Sequence, residues 1–346
     1  MTALKGYAAQ NPKDKLAPWD FEVRELGPHD VLVNIMYCGV CHTDLHQINN
    51  DWFPGIFPMV PGHEIVGEIA KVGNHVKKHK IGDCVGVGVM VDSCGGCEDC
   101  SHGHETTCSV SPVWTYNSLG LDGKPTYGGY ANAIVIKEDF VLRVAQSLNP
   151  EGVGPLLCAG ITTYTPLKRF NVGNGHKLAV LGLGGLGHMA VKFGVAFGAE
   201  VTVLSTSSKK EQAAYKLGAH HFINTSDQGQ LDSVKGEFDF ILDTVSAPHD
   251  LNVYLQLLRS NGTHICVGIP VEPYVISPFS LLAGNKSITG SGPGGLPLTQ
   301  EMLDFCAEKD ITADVELIDI KDIHHAFERM ERGDVLYRFV IDLATL

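Results

Sequence analysis

Residues 178–187 read LAVLGLGGLG: an apolar run, then Gly182, Gly184, Gly185 and Gly187, with Leu183 and Leu186 between them. The apolar run predicts a strand, Lys177–Leu181, and the residues after the turn predict a helix from Leu186 to Phe197. A glycine pattern alone carries little weight. Between a strand and a helix it is the arrangement that holds a dinucleotide pyrophosphate. One glycine makes the tight turn, one lets backbone N–H groups approach the phosphates, and one lets helix and strand pack closely. The helix N-terminus then attracts the anion.

Outward from this turn the same alternation continues. Strands are expected at Glu200–Ser205, Phe222–Asn224, Phe238–Thr244 and Gly262–Gly268, with a helix over Lys209–Leu217. Strands alternating with helices imply βαβ units and a parallel sheet. The second strand bears on the choice of cofactor. A site for NAD usually carries Asp or Glu there, to hold the ribose hydroxyls. Here the strand runs into Ser205-Thr206-Ser207-Ser208-Lys209-Lys210. No carboxylate repels a 2′-phosphate, and hydroxyls with lysines suit one, so the turn is read as an NADP site.

The first 150 residues differ. Short runs rich in valine and isoleucine, such as Asp30–Met36 and Glu64–Val72, are separated by Gly, Pro and Asp, which predicts β-strands and loops. The late strand-like run Tyr337–Asp342 is expected to rejoin this part. A chain of 346 residues suits two domains. At 44% hydrophobic and 19% charged it has the composition of a globular protein with sizeable cores. A formal charge of −13 disfavours nucleic acid as a partner. No run approaches the ~18 apolar residues of a membrane span. The start, MTALKGYAAQNPKDK, has no apolar stretch of a secretory signal, so a cytoplasmic location is expected.

Ten cysteines are many for a chain expected in a reducing compartment, where clustered thiols bind metal or do chemistry. Cys94, Cys97, Cys100 and Cys108 stand within one loop. Four thiolates close a tetrahedral shell around zinc and leave no open position, which makes such a site structural. Disulfides, an iron–sulfur cluster and a nucleic-acid zinc knuckle are the other readings of the spacing. A second set is dispersed: CGVCHTD (38–44), PGHE (61–64) and LCAG (157–160). Two Cys and one His can hold a catalytic zinc with one position open. Spacing alone does not single out this trio. On the residues alone Cys158 reads as a buried thiol, and His42 and His46 as polar loop residues.

Taken together these segments resemble the zinc-dependent medium-chain dehydrogenase/reductase superfamily, in its cinnamyl alcohol dehydrogenase branch. The resemblance runs in order through CGVCHTDLHQ (38–47), MVPGHEIVGEI (59–69), the four-cysteine loop, GGYA (128–131), PLLCAGITTY (155–164), GLGGLGHMAVK (182–192), STSSKK (205–210), EMLDFCAEK (301–309) and RFVIDL (338–343). It implies an α/β protein. A GroES-like, β-rich catalytic domain (1–152 and 287–346) would enclose a doubly wound Rossmann NADP-binding domain (153–286), with the active site in the cleft between them.

The resemblance assigns Cys41, His63 and Cys158 to the catalytic zinc, with Glu64 able to approach the metal and Asp44 holding the other nitrogen of His63. It makes Thr43 and His46 a proton relay, with Asp51 near its outer end. His42 would face the pyrophosphate and Thr162 the nicotinamide. Gly182 to Gly187, Thr244, Val267-Gly268-Ile269, Ser291 and Pro293 match cofactor-contacting segments, and Ser205, Thr206, Ser207 and Lys210 match the 2′-phosphate site. Cys94, Cys97, Cys100 and Cys108 match the structural zinc. Cys38 is no ligand in this family.

Trp114 matches a pocket aromatic, and Trp52 is a second pocket candidate. After Ser291, Gly292 stands where plant members carry a bulky apolar residue, which favours a broader aldehyde range than cinnamyl alcohols alone. The implied activity is zinc- and NADP(H)-dependent interconversion of primary alcohols and aldehydes. A homodimer is expected, with Val275–Leu282 contributing to its interface. Two rivals stand against this. Zinc-free quinone or enoyl reductases would lack both ligand sets. A zinc- and NADP-binding regulatory or redox-sensing protein would have no use for Thr43 and His46. A non-alcohol substrate within the same superfamily is the remaining alternative.

Overall fold

The computed structural model describes residues 1–335 and 337–346. The chain forms two compact units, one of Met1–Ile161 with Gly294–Leu346, the other of Thr162–Pro293. The first unit thus takes both ends of the chain and is discontinuous in sequence. Residues 153–161, with Cys158 among them, lie in this first unit, and residues 287–293 lie in the second.

The first unit is organised by a seven-stranded sheet. Its centre is the strand Asp30–Gly39, which pairs antiparallel with Ile65–Val72, with Ala133–Lys137 and with the late strand Arg338–Asp342. In DVLVNIMYCG the apolar side chains of Val31, Val33 and Ile35 alternate with Leu32, Asn34 and Met36. Val31 and Val33 are fully buried in a core shared with Ile65, Ile69, Tyr130 and Phe339. The period of two places one face inward. The pairing of Val340, Ile341 and Asp342 with Gly39, Cys38 and Tyr37 bears out the expected return of the tail.

The second unit is a six-stranded parallel sheet in the order His221–Asn224, Glu200–Ser205, Lys177–Leu181, Phe238–Asp243, Leu258–Cys266, Ser287–Gly290. Numbered along the chain this is 3-2-1-4-5-6, the doubly wound order that places ligands beyond the carboxyl ends of the strands where the order reverses. The first strand of the unit is Lys177–Leu181 as the sequence predicts, and the helix after the glycine turn spans Gly185–Ala196. The strand expected at Gly262 begins earlier, at Leu258. Exposed Arg259, Ser260 and Asn261 hide its start from a reading based on apolar runs. Lys209 and Lys210 lie in a short 3₁₀ turn, and the helix proper is Glu211–Lys216. No helix among the described residues is long and apolar enough to cross a membrane.

Candidate active site and zinc centres

The segment CHTD folds on itself. The helix His42–Asn49 begins at Cys41, and the Asp44 carboxylate reaches back to accept the Cys41 backbone N–H at 2.9 Å. This is the carboxylate half of a capping box, and it fixes the Cys41 backbone. The same carboxylate, fully buried, also accepts the Gly62 N–H at 3.1 Å and the Tyr130 hydroxyl at 3.1 Å. His63 Nδ1 stands 3.5 Å from Oδ1, the oxygen that also accepts the Gly62 N–H. One aspartate therefore ties together the two segments that supply Cys41 and His63, and leaves His63 Nε2 facing the thiols.

Cys158 joins them from the turn after Gly154–Leu157. Its sulfur lies 3.9 Å from that of Cys41 and 3.2 Å from His63 Nε2. With a Glu64 oxygen these donor atoms all fall within 4.8 Å of one another. Ligands at zinc distances of ~2.3 Å for sulfur and ~2.0 Å for nitrogen stand about 3.5–3.8 Å apart in a tetrahedron, so the set fits zinc. The electrostatics agree. The Cys41 thiol is held well below its ordinary value, first by the Cys158 thiol and also by Arg338 and His63, while Cys158 is pushed well above. Two buried thiols so close do not both ionise unless a cation sits between them. Burial opposes charge on His63, but Asp44 and Cys41 outweigh it and raise the ring to about 10, so a metal would have to displace the Nε2 proton to bind.

Three residues that the sequence reading did not single out complete the surroundings. Glu64, fully buried, is paired with the Arg338 guanidinium from the returning strand, while its second oxygen has no hydrogen-bond partner among the described residues. Tyr130 anchors Asp44, as described. The Tyr116 ring stacks on His63 with centroids 5.8 Å apart, and its hydroxyl is buried. Arg338 carried a signal: a cation at the head of the apolar strand RFVID has to find an anion.

On the helix His42–Asn49, His42 is exposed while Thr43 and His46 are half-buried. His46 Nδ1 lies 2.7 Å from the Asp51 carboxylate, which leaves Nε2 as the acceptor of the ring. The Trp52 ring lies over His46 at 4.6 Å. Trp114 is 39% exposed and pairs with Met90 in a two-stranded ribbon. Among the described residues, Trp52 thus lies beside His46, and Trp114 shows no ring contact to it.

In the loop Cys94–Cys108 the sulfurs pair as Cys94 with Cys100 at 3.9 Å and Cys97 with Cys108 at 3.8 Å. A tetrahedral ZnS4 centre has sulfurs about 3.8 Å apart. Backbone N–H groups turn toward the thiols, Cys97 to Cys94 Sγ at 3.3 Å and Ser111 to Cys108 Sγ at 3.4 Å. The N–H of Ser111 leads in holding Cys108 down at about 6, as a zinc thiolate requires. All ten cysteines are free of disulfides.

In the second unit Gly182 has φ +89°, a conformation that favours glycine, and a side chain at Gly187 would collide with the Gly182 carbonyl. Gly184 opens onto free space, as an approach for phosphate needs. Lys210 Nζ donates to the Leu183 carbonyl at 2.9 Å and Ser207 N donates to Ser205 Oγ at 3.3 Å, so the serine–lysine segment folds beside the glycine turn. Thr244 Oγ1 bonds to Leu181 O at 2.8 Å on the other side of that turn. Gly268 packs on the Val245 backbone, with Val267 and Ile269 flanking it. Thr162, Ser291 and Pro293 also belong to this unit, and a side chain at Gly292 would meet open space.

A chain that joins a doubly wound dinucleotide unit and a β-rich unit with one mixed Cys/His site and one four-cysteine site has the make-up of the zinc-containing, nucleotide-dependent dehydrogenases. Residues 27–146 match the alcohol dehydrogenase GroES-like domain, and residues 185–308 match the zinc-binding dehydrogenase domain. The chain is 50% identical over 339 residues to a probable formaldehyde dehydrogenase of Bacillus subtilis, covering 98% of this chain and 97% of that one. It is 48% identical to the NADP-dependent alcohol dehydrogenase C 1 of Mycolicibacterium smegmatis, over 100% of this chain and 99% of that one. Its fold matches a cinnamyl alcohol dehydrogenase from Sorghum bicolor with a TM-score of 0.96 and 44% identity, covering 99% of this chain and 98% of that one. The chain belongs to the zinc-binding alcohol dehydrogenase family, in its cinnamyl alcohol dehydrogenase branch.

Proposed function

We propose that this zinc- and NADP(H)-dependent alcohol dehydrogenase interconverts primary alcohols and aldehydes over a broad aromatic and aliphatic range: aldehyde + NADPH + H⁺ ⇌ primary alcohol + NADP⁺. The observation that carries the reading is the buried convergence of Cys41, His63 and Cys158 with a carboxylate-held histidine. Bound there, zinc supplies a Lewis acid that polarises the carbonyl oxygen. Cys41 and Cys158 as thiolates and His63 as a neutral imidazole would balance its charge, and Glu64, paired with Arg338, offers a further oxygen among these donors. Thr43, His46 and Asp51 move the single proton of the equation, with His46 Nε2 as acceptor while Asp51 holds Nδ1.

NADP(H) is favoured over NAD(H) by Ser205, Thr206, Ser207 and Lys210, where a carboxylate would repel the 2′-phosphate, and the Mycolicibacterium relative is NADP-dependent by name. The breadth of substrate rests on Gly292, which raises no side-chain wall. The sorghum relative points to cinnamyl alcohols and the Bacillus relative to formaldehyde, two ends of that range. A homodimer through the second unit is supported by exposed Val275, Phe279 and Leu282 and by the open edge strand Ser287–Gly290.

The test is NADPH oxidation with a panel of aromatic and aliphatic aldehydes, before and after chelation of zinc. Turnover with several aldehydes, lost on chelation and restored by zinc, is expected. Failure with every aldehyde at full zinc occupancy favours a regulatory NADP-binding protein. Ser205→Asp should shift the preference in kcat/KM toward NADH.

A further inference from the structure

The strand Phe238–Asp243 ends in a carboxylate with no solvent exposure. Asp243 Oδ1 accepts the Val245 N–H at 3.0 Å, and its backbone carbonyl accepts the N–H groups of Val267 at 2.9 Å and Gly268 at 3.0 Å. Its Oδ2 accepts from His249 Nε2 at 2.8 Å. The other ring nitrogen of His249, Nδ1, lies 2.8 Å from the Ala247 carbonyl oxygen. A carboxylate and a carbonyl only accept hydrogen bonds. A neutral imidazole has one N–H and satisfies one of them; serving both takes two.

We propose that His249 is a positioning residue for NADP(H), an imidazolium clamped between Asp243 and the Ala247 carbonyl that sets the 244–249 turn. It acts through that turn on cofactor affinity. The proposal rests on the reading that Thr244 and Val267–Ile269 face the cofactor.

The surroundings make the assignment specific. His264, from the neighbouring strand, faces the same carboxylate at 3.7 Å, but burial lowers it to about 4, so it stays neutral and the positive charge facing Asp243 is that of His249. Burial also lifts the Cys266 thiol, 3.6 Å from His264, to about 11, so it too is uncharged. The rings of Tyr254 and Tyr274 meet His249 edge-on at 5.7 and 5.5 Å, and burial raises both phenols. Asp250 adds a second anion next to His249 in the chain. With side chains 12% and 0% exposed, the His249–Asp243 pair is shielded from water, where charge-assisted hydrogen bonds are strong.

The geometry leads from this pair to the cofactor turn. Thr244 Oγ1 bonds to Leu181 O at the mouth of the glycine turn, and a side chain at Gly268 would collide with the Val245 carbonyl. A shift of the 244–249 turn therefore disturbs both. Burial opposes charge on His249, but Asp243 prevails and the ring is raised above its ordinary value. The clamp is present below the raised value and is lost as pH rises through it.

The experiment uses the zinc-loaded full chain labelled with 13Cε1-histidine. The His249 ring signal, identified by its absence in His249→Gln, is titrated. NADPH Kd, KM and kcat are measured in parallel from pH 6 to 9.5. A charged ring at pH 7.5 is expected, with NADPH affinity falling at alkaline pH in the native protein. In His249→Gln the NADPH Kd and KM should rise about tenfold with kcat held within about twofold, and the alkaline fall should disappear. A neutral ring at pH 7, or a variant with native affinity and native pH profile, overturns the proposal. If His249→Gln does not fold, His249→Asn replaces it, and the native titration alone decides the charge. If the native protein binds no NADPH at all, the cofactor reading fails while the ring titration still reports on the clamp.

Discussion

The thiols of the 94–108 loop come from one short stretch and sit half-buried near the surface, save Cys108. Cys41, His63 and Cys158 come from three distant stretches, and the first two are buried. The loop site is uniform: four sulfurs, with backbone N–H groups as their immediate support. The dispersed site is mixed, and its support is made of charged side chains, Asp44 on His63 and Arg338 on Glu64. Four thiolates close a metal off, and backbone amides are enough to hold them. Two thiolates and an imidazole leave room for substrate, and the surrounding charges have to be fixed one at a time. On the proposed function the loop would stabilise its part of the chain, whereas the dispersed site would carry the reaction.

Substitutions at matched positions break or sharpen this contrast. The largest effect is expected from Cys158→Ala, which should lower aldehyde reduction by about 10³-fold or more while NADPH binds as before. Steady-state rates and NADPH titration check it, and near-native turnover would sink the zinc assignment. Cys100→Ser should give the reverse pattern. One zinc per chain is lost and the unfolding midpoint falls by several degrees, with kcat at low temperature within about twofold of native. Metal analysis with a thermal scan decides, and a loss of kcat in the folded variant would join the two sites functionally. The smallest effect is expected from Tyr130→Phe. Asp44 keeps its bonds from Cys41 and Gly62, so about 1 kcal/mol of stability is lost and activity falls less than tenfold. Denaturant unfolding and kcat measure this.

The same contrast explains what the sequence disclosed. The glycine turn and the four-cysteine loop were legible because every part lies within a dozen or so neighbouring residues, and local spacing encodes local geometry. The alternation of strands and helices after residue 176 was legible for the same reason. The trio Cys41, His63 and Cys158 was reached only through resemblance, since Cys158 stands 117 residues from Cys41 and no periodicity links them. Arg338 lies 274 residues from Glu64, and their pairing depends on a strand returning across the whole chain. Nothing in the sequence marks Tyr116 or Tyr130 as belonging to the site. Their contacts with His63 and Asp44 appear only once the sheet is built.

The returning strand Arg338–Asp342 has a consequence for synthesis. During translation the second unit, contiguous over Thr162–Pro293, is available to fold as soon as it emerges from the ribosome. The first unit has to wait. The Asp30–Gly39 strand keeps an unpaired edge, and the Glu64 carboxylate lacks its cation, until residues made about 300 positions later arrive. A nascent or truncated chain can therefore carry a finished nucleotide unit while the surroundings of the Cys41–His63–Cys158 site are still incomplete.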